Sequence, residues 1–484
     1  MAARSKTVSK NGSQYGSINN DPEEAVSPSG RASTSKAAAT PSDDAQSIPP
    51  PKSPPSAVVR NEPGTGWIGS AFLITSSTLG GGTVGLGSAI AKSGGAIALL
   101  AILVVAVLNK YSLDLLVALM AESHDPPAFT YESLGFVTFG EKGRLTVIFS
   151  NSLYSLGVLV ASLKILQDNC SVAVSHLFYG YSYDSDGSKK NLEEIFSNEY
   201  LTTIFFATTC MLPLSLLRDL GPLERFSEIK VIVLVLIVAT VIYLYTTNDD
   251  EGEPNFVEHW LVVHHSALQS VGTFFFVFVA QYDVHLVYQA MKPSQKQHYE
   301  KASTLGTAMN TAIVLFMGYP VYMTFWEETS SSIFLLYPAS KAVDLCRCFL
   351  CIVVVLTYPF AFLVVREELV ALLYSDENSQ YPCSDDLNSI FLPGSDRQLK
   401  LGYHIAFTVV LWCTTLVLAL KASSLGAVLN LAGCATGTLM SCILPALFSY
   451  KMRGHTMLGT VLFLLGGSVG LVGTIYSILT LSTT

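Results

Sequence analysis

A chain of 484 residues that is 50% hydrophobic and only 13% charged is not built like a soluble globular protein, in which about 25% of residues carry charge. It reads as an all-α polytopic membrane protein with the lipid bilayer as its surroundings. The formal net charge of −9 and the lack of a basic cluster exclude nucleic acid as a partner.

Residues 1–66 are rich in Ser, Pro, Ala and charge and nearly free of aromatic and branched apolar side chains. Such a segment buries too little apolar surface to offset its ordering entropy. It is expected to be a disordered cytoplasmic N-terminal tail, suited to phosphorylation and to cytoplasmic partners. It has no apolar h-region, so it is not a signal peptide. Tyr15-Gly16-Ser17-Ile18 has the form of a tyrosine sorting signal, a pattern that also arises by chance.

Residues 67–484 form the membrane domain, with eleven apolar spans of crossing length: 67–91, 95–121, 145–167, 200–217, 229–245, 267–289, 303–326, 343–365, 401–420, 424–449 and 457–481. An odd count puts the termini on opposite sides. With the tail in the cytoplasm, the loops holding Arg218, Arg225 and Lys230, then Lys292, Lys296 and Lys301, then Lys451 and Arg453 are cytoplasmic. Asp249, Asp250, Glu251, Glu253, Glu258, Glu327 and Glu328 fall on the other side, which is the positive-inside pattern. Asn169-Cys170-Ser171 is a glycosylation sequon on that outer side, close to the membrane. The nine cysteines lie mostly inside apolar runs and read as reduced packing residues. Cys170 and Cys346 fall near outer helix ends, where a bridge between them is left open.

The first span is interrupted at its middle by Gly80, Gly81 and Gly82. Each glycine weakens a helix interior by roughly 1 kcal/mol relative to alanine, so the helix is expected to open here. Opened backbone at membrane depth is tolerated only where it is buried in protein or lines a cavity. Bare amides there, with Thr83 starting a second half-helix, would favour a carboxylate. The alternative is a small-residue packing face that uses Thr75, Ser76, Gly80 and Gly87. In the second span Lys110 and Asp114 are four residues apart and read either as an intramembrane pair or, preferably, as charges at the cytoplasmic surface.

Several segments, in order, resemble the amino acid/auxin permease family, in particular the neutral amino acid branch with the sodium-coupled system A and N carriers and the vacuolar amino acid transporters. Phe72 to Leu86, with Gly80, Gly82, Gly85 and Leu86, is similar to the family's first-helix motif. Tyr131-Glu132-Ser133-Leu134-Gly135 with Phe139-Gly140, Pro213-Leu214-Ser215-Leu216-Leu217-Arg218 with Leu220, Leu223 and Ser227, Asp283 to Tyr288, and Leu356-Thr357-Tyr358-Pro359 with Arg366 resemble later motifs. The resemblance implies about 11 transmembrane helices with a 5+5 inverted-repeat (LeuT-like) core in which helices 1 and 6 are broken at the midplane.

It further implies substrate contacts at Thr78, Gly80, Gly81, Gly82, Thr83 and Gln281. The second break is inferred from position alone, because Ala280-Gln281-Tyr282-Asp283 contains no Gly or Pro. Asp283 and His285 are either a proton-coupling pair or residues of a water-exposed half-helix. Ser76 and Thr357 stand at the family's sodium positions, with backbone carbonyls near Thr75 and Leu79 as further oxygens; packing through back-bonded hydroxyls is the other reading. Ser76 replaces an Asn and reaches less far, so of H+ and Na+ as coupling ion, proton coupling or a degraded sodium site is preferred to intact Na+ dependence, with no cofactor.

The absence of a charged side chain at the first-helix site suits small neutral amino acids. The expected function is secondary active transport by alternating access, in a plasma or a vacuolar/lysosomal membrane. A membrane amino acid receptor signalling through the tail is the alternative. No catalytic constellation points to an enzyme.

Overall fold

Hydrocarbon offers the backbone no hydrogen-bond partner, and helices lie over each of the eleven apolar spans in the computed structural model. It describes residues 64–78, 80–124, 127–179, 198–218, 226–247, 260, 267–338, 340–373 and 399–483. Residues 1–63 of the expected tail, including Tyr15–Ile18, and also Leu79, Leu220, Leu223, Arg225 and the acidic stretch 249–258 lie outside the described residues. Among the described residues, seven helices are long and apolar enough to cross a membrane.

The first span is split into α1 (Trp67–Thr78), a 3-10 turn (Gly81–Gly85) and α2 (Leu86–Ser93). It is followed by α3 (Gly95–Glu122) and α4 (Tyr131–Tyr179), then α5 (Glu199–Phe206), α6 (Leu212–Ser215) and α7 (Phe226–Thr246). The sixth span is split into α8 (Ala267–Phe278) and α9 (Val284–Ala290). Beyond it come α10 (Tyr299–Phe325), α11 (Lys341–Leu373), α12 (Leu401–Lys421), α13 (Leu425–Ala432), α14 (Leu444–Arg453) and α15 (Met457–Thr483).

Local sequence explains the irregular places. Helix α4 is two helices joined at Phe139 and Gly140, and Gly140 has φ +64°, a left-handed conformation that only glycine adopts cheaply. Both α6 and α14 open on a Leu-Pro pair, and each is preceded by a π turn, at Ala207–Met211 and Leu439–Ile443. Proline cannot donate to the carbonyl four residues back and crowds it, so the backbone upstream widens.

The broken helices sit at the centre. Helix α1 packs on α10, α8 packs on α2, α13 and the π turn at Gly433–Gly437, and α4 lies along α11. Gly272 and Gly433 make the closest crossing, where a Cβ on Gly433 would lie 1.7 Å from the Gly272 carbonyl oxygen. At the face where α1 begins, Thr65 pairs with the segment after α9: its N–H donates to Ala290 O at 2.8 Å and its carbonyl accepts from Lys292 at 3.0 Å.

Several motif residues meet far from where they lie in sequence. Arg366 of α11 is buried and donates to Ser215 O at 3.0 Å, at the end of α6. His404 of α12 contacts Leu216 O at 3.0 Å. Together they satisfy carbonyls that a helix end leaves without partners. Tyr131 donates to Met440 O at 2.9 Å. Lys110 and Asp114 form a half-buried ion pair at 2.7 Å, joined by Glu300 of α10 at 3.4 Å. Cys170 and Cys346 are free thiols. Asn169 of the sequon is fully buried in α4, its amide donating to Ile165 O at 2.9 Å, so it is closed to modification in this fold.

Candidate substrate and ion site

A helix that stops inside the protein leaves its last carbonyls unpaired, and the two breaks solve this with side chains from elsewhere. At the end of α1, Ser76 O accepts from Lys230 Nζ of α7 at 2.7 Å, and Ser77 O accepts from the Tyr282 hydroxyl at 3.0 Å. At the end of α8, Phe276 O accepts from the Tyr154 hydroxyl at 2.9 Å and Val277 O from Asn310 Nδ2 at 3.1 Å. Each break therefore receives donors from outside its own helix.

The interiors of the two breaks differ. After Thr78, Gly80 is extended with φ −146° and ψ −163°, and Thr83 closes the 3-10 turn by donating its hydroxyl to Gly80 O at 3.0 Å. At Val279–Asp283, without Gly or Pro, Gln281 does the work. Its Oε1 accepts from the Ala280 N–H at 3.1 Å, while its Nε2 donates to Asn109 Oδ1 at 2.7 Å and Ser112 Oγ at 3.3 Å. The breaks touch at Gly82, where a Cβ would lie 2.9 Å from both Phe276 Cδ1 and Val277 Cγ1.

Beside them is a cavity of about 620 Å³, within the range of small-molecule sites. It is lined by Ser76, Thr78, Gly80, Gly81 and Gly82 of the first break, Phe276, Tyr282 and Asp283 of the second, Tyr154, Ser155 and Val158 of α4, and Lys230. His285, Thr357, Phe360, Glu132, Glu367 and Glu368 line it as well. Of these, Glu367 is exposed. Glu368 is buried and accepts from Ser152 Oγ at 3.0 Å and from Asn151 Nδ2.

Of the residues expected at the site, Ser76, Thr78, Gly80, Gly81, Gly82, Asp283, His285 and Thr357 line the cavity. Thr83 and Gln281 do not: Thr83 is buried behind the turn, and the Gln281 amide is spent on α3. Sequence reasoning placed Lys230 in a cytoplasmic loop and passed over Tyr154, Tyr282 and Asn310. A lone lysine one residue inside an apolar span was the available signal for the first; the other three are unremarkable until the fold brings them to a helix end.

The sodium positions can be tested by the bonds they already make. A sodium ion needs several oxygen ligands; the Thr357 hydroxyl donates to Val353 O at 2.7 Å and keeps its oxygen lone pairs, but Ser76 O already holds an ammonium at 2.7 Å. A cation on the same carbonyl would face the Lys230 charge across a few ångströms of low-dielectric protein. As arranged, the Ser76 carbonyl does not fit sodium, because it already carries the ammonium.

A helical membrane body with two broken helices beside a cavity defines the class of transporter built on discontinuous helices. Residues 63–478 match the model of the family described as transmembrane amino acid transporter protein, and the chain belongs to that family. It is similar to sodium-coupled neutral amino acid transporter 4 of Homo sapiens, at 21% identity over 85% of this chain and 84% of that one. It is also similar to sodium-coupled neutral amino acid symporter 2 of Danio rerio, at 22% identity over 85% and 82%. The fold is similar to that of MhsT, solved in complex with L-phenylalanine, with a TM-score of 0.52 at 14% identity over 87% of this chain and 99% of that one. Mhp1, a nucleobase-cation-symport-1 family transporter, matches with a TM-score of 0.52 at 13% identity over 87% and 94%.

Proposed function

We propose that the chain is a secondary active transporter of small neutral amino acids, working by alternating access with its N-terminus in the cytoplasm and driven by a cation gradient. The observation that carries this reading is the cavity at the two breaks. The end of its lining at the breaks offers the backbone of Gly80–Gly82 together with one cationic and one anionic side chain, Lys230 and Asp283, which act on each other electrostatically. Such a nearly neutral end suits a zwitterion, whose carboxylate and ammonium group are matched by half-helix ends rather than by an unopposed side-chain charge.

The names of the human and zebrafish relatives point to the same substrate class. The receptor alternative rests on the tail, of which residues 1–63 lie outside the described residues. A panel of labelled amino acids, offered to the purified chain in proteoliposomes, tests the reading. Saturable uptake of small neutral amino acids, with lysine and glutamate as poor competitors, is expected; preferential uptake of a charged amino acid would overturn it.

A further inference from the structure

Half-helix C-termini and unwound carbonyls at a break are where carriers of this construction hold their coupling cation. Here that position is filled by the chain itself. Lys230 Nζ lies 2.7 Å from Ser76 O, the side chain lines the cavity, and Asp283 of the second break is the charge that acts on it. We infer that the Lys230 ammonium stands in for the metal cation at the first break, so that the coupled ion is a proton carried on Lys230 and not sodium. This rests on the transport reading above.

The surroundings leave Lys230 no other strong partner among the described residues. Helix α1 has no ionisable side chain. On α10, Glu300 pairs with Lys110, and Lys301 is exposed. On α11, Asp344 and Arg347 pair with each other, Arg366 is held by Ser215 O, and Lys341 is exposed. Glu367 and Glu368 share the cavity with Glu132, His285, Tyr154, Tyr282 and Asp283, and Asp283 acts on the lysine electrostatically.

The cycle balances with water alone. A proton from hydronium on the acidic side joins the amine as an N–H, and the ammonium then binds Ser76 O and faces Asp283. On the other side the proton passes to water. The neutral amine left behind no longer holds the end of α1 by charge, which frees the half-helix to move. An amine buried in protein is able to make this exchange, whereas a guanidinium stays charged throughout.

The test uses the full chain in proteoliposomes with a labelled neutral amino acid. An inward pH gradient in sodium-free medium is expected to drive accumulation above equilibrium, up to about tenfold per unit of pH difference for one proton per substrate. A sodium gradient at equal pH is expected to drive none. Accumulation driven by sodium alone would overturn the inference and leave transport standing, as would exchange without accumulation under either gradient. Absence of any exchange would sink the transport reading as well. Lys230→Arg, which keeps the charge, is expected to abolish the dependence of uptake on pH; a pH profile within about twofold of wild type would contradict the role given to Lys230. If that variant does not fold, the wild-type gradients still decide.

Discussion

The Tyr282 hydroxyl donates to the carbonyl oxygen of Ser77 at 3.0 Å, tying the turn of the second broken helix to the end of the first. The rings of Tyr282 and Tyr154 lie 5.9 Å apart, and Tyr154 holds the end of α8 in the same way. Two tyrosines thus cap two helix ends across one cavity. Tyr282→Phe leaves a part-buried carbonyl without its donor, at a cost of about 1–3 kcal/mol. A lower melting temperature in detergent and slower uptake are expected; unchanged values for both would show that the tie is not used.

The three glycines of the first break are not equivalent. A Cβ at Gly80 meets nothing within 4 Å, whereas one at Gly82 presses on the second break at Phe276 and Val277. Gly80→Ala is therefore expected to stay within about 0.5 kcal/mol of wild-type stability, and Gly82→Ala to lose about 1–3 kcal/mol through overpacking. Thermal unfolding of the pair checks the order.

Gly433→Ala places a methyl group against the backbone of Gly272, which is not the movable tip of a side chain. The crossing of α8 with the π turn must then open. A loss of about 1–3 kcal/mol or more is expected, with uptake reduced because α8 carries the second break. Wild-type melting behaviour for this variant would mean that the crossing is looser than described.

Arg366 is 5% exposed and donates to Ser215 O at 3.0 Å, and to Leu217 O and the Thr408 hydroxyl at 3.4 Å each. Arg366→Met keeps much of the volume and loses the donors. Hydrogen bonds to a charged group contribute about 1.5–3 kcal/mol each, so poor folding yield is expected, with partial recovery in Arg366→Lys. Equal yields for Met and Lys would show that packing, and not donation, fixes the end of α6.

The first break was legible because its cause is local: consecutive glycines lower the cost of opening wherever they stand. The second break was readable only from its position within the resemblance, since its cost is met by tertiary contacts. Tyr154 is 122 residues from the carbonyl it caps, and Gln281 is 172 residues from Asn109. For the same reason Gln281, expected at the substrate, turned out to pin the turn to α3. The motif pairs around Ser215 and Arg366 were readable as segments, but their meeting was not. Lys230 was hidden by its place at the start of an apolar span, where a charge is ordinarily at the membrane surface.

Gly81→Val tests most directly whether the opened first helix is the transport site. Its Cβ would lie 2.2 Å from Ile165 Cδ1 of α4, so the added side chain must push away either Ile165 or the Gly80–Gly82 turn that lines the cavity. In proteoliposomes, the folded variant is predicted to show no saturable uptake of any small neutral amino acid that the wild-type chain carries. Uptake by Gly81→Val at the wild-type rate and apparent affinity would contradict the account.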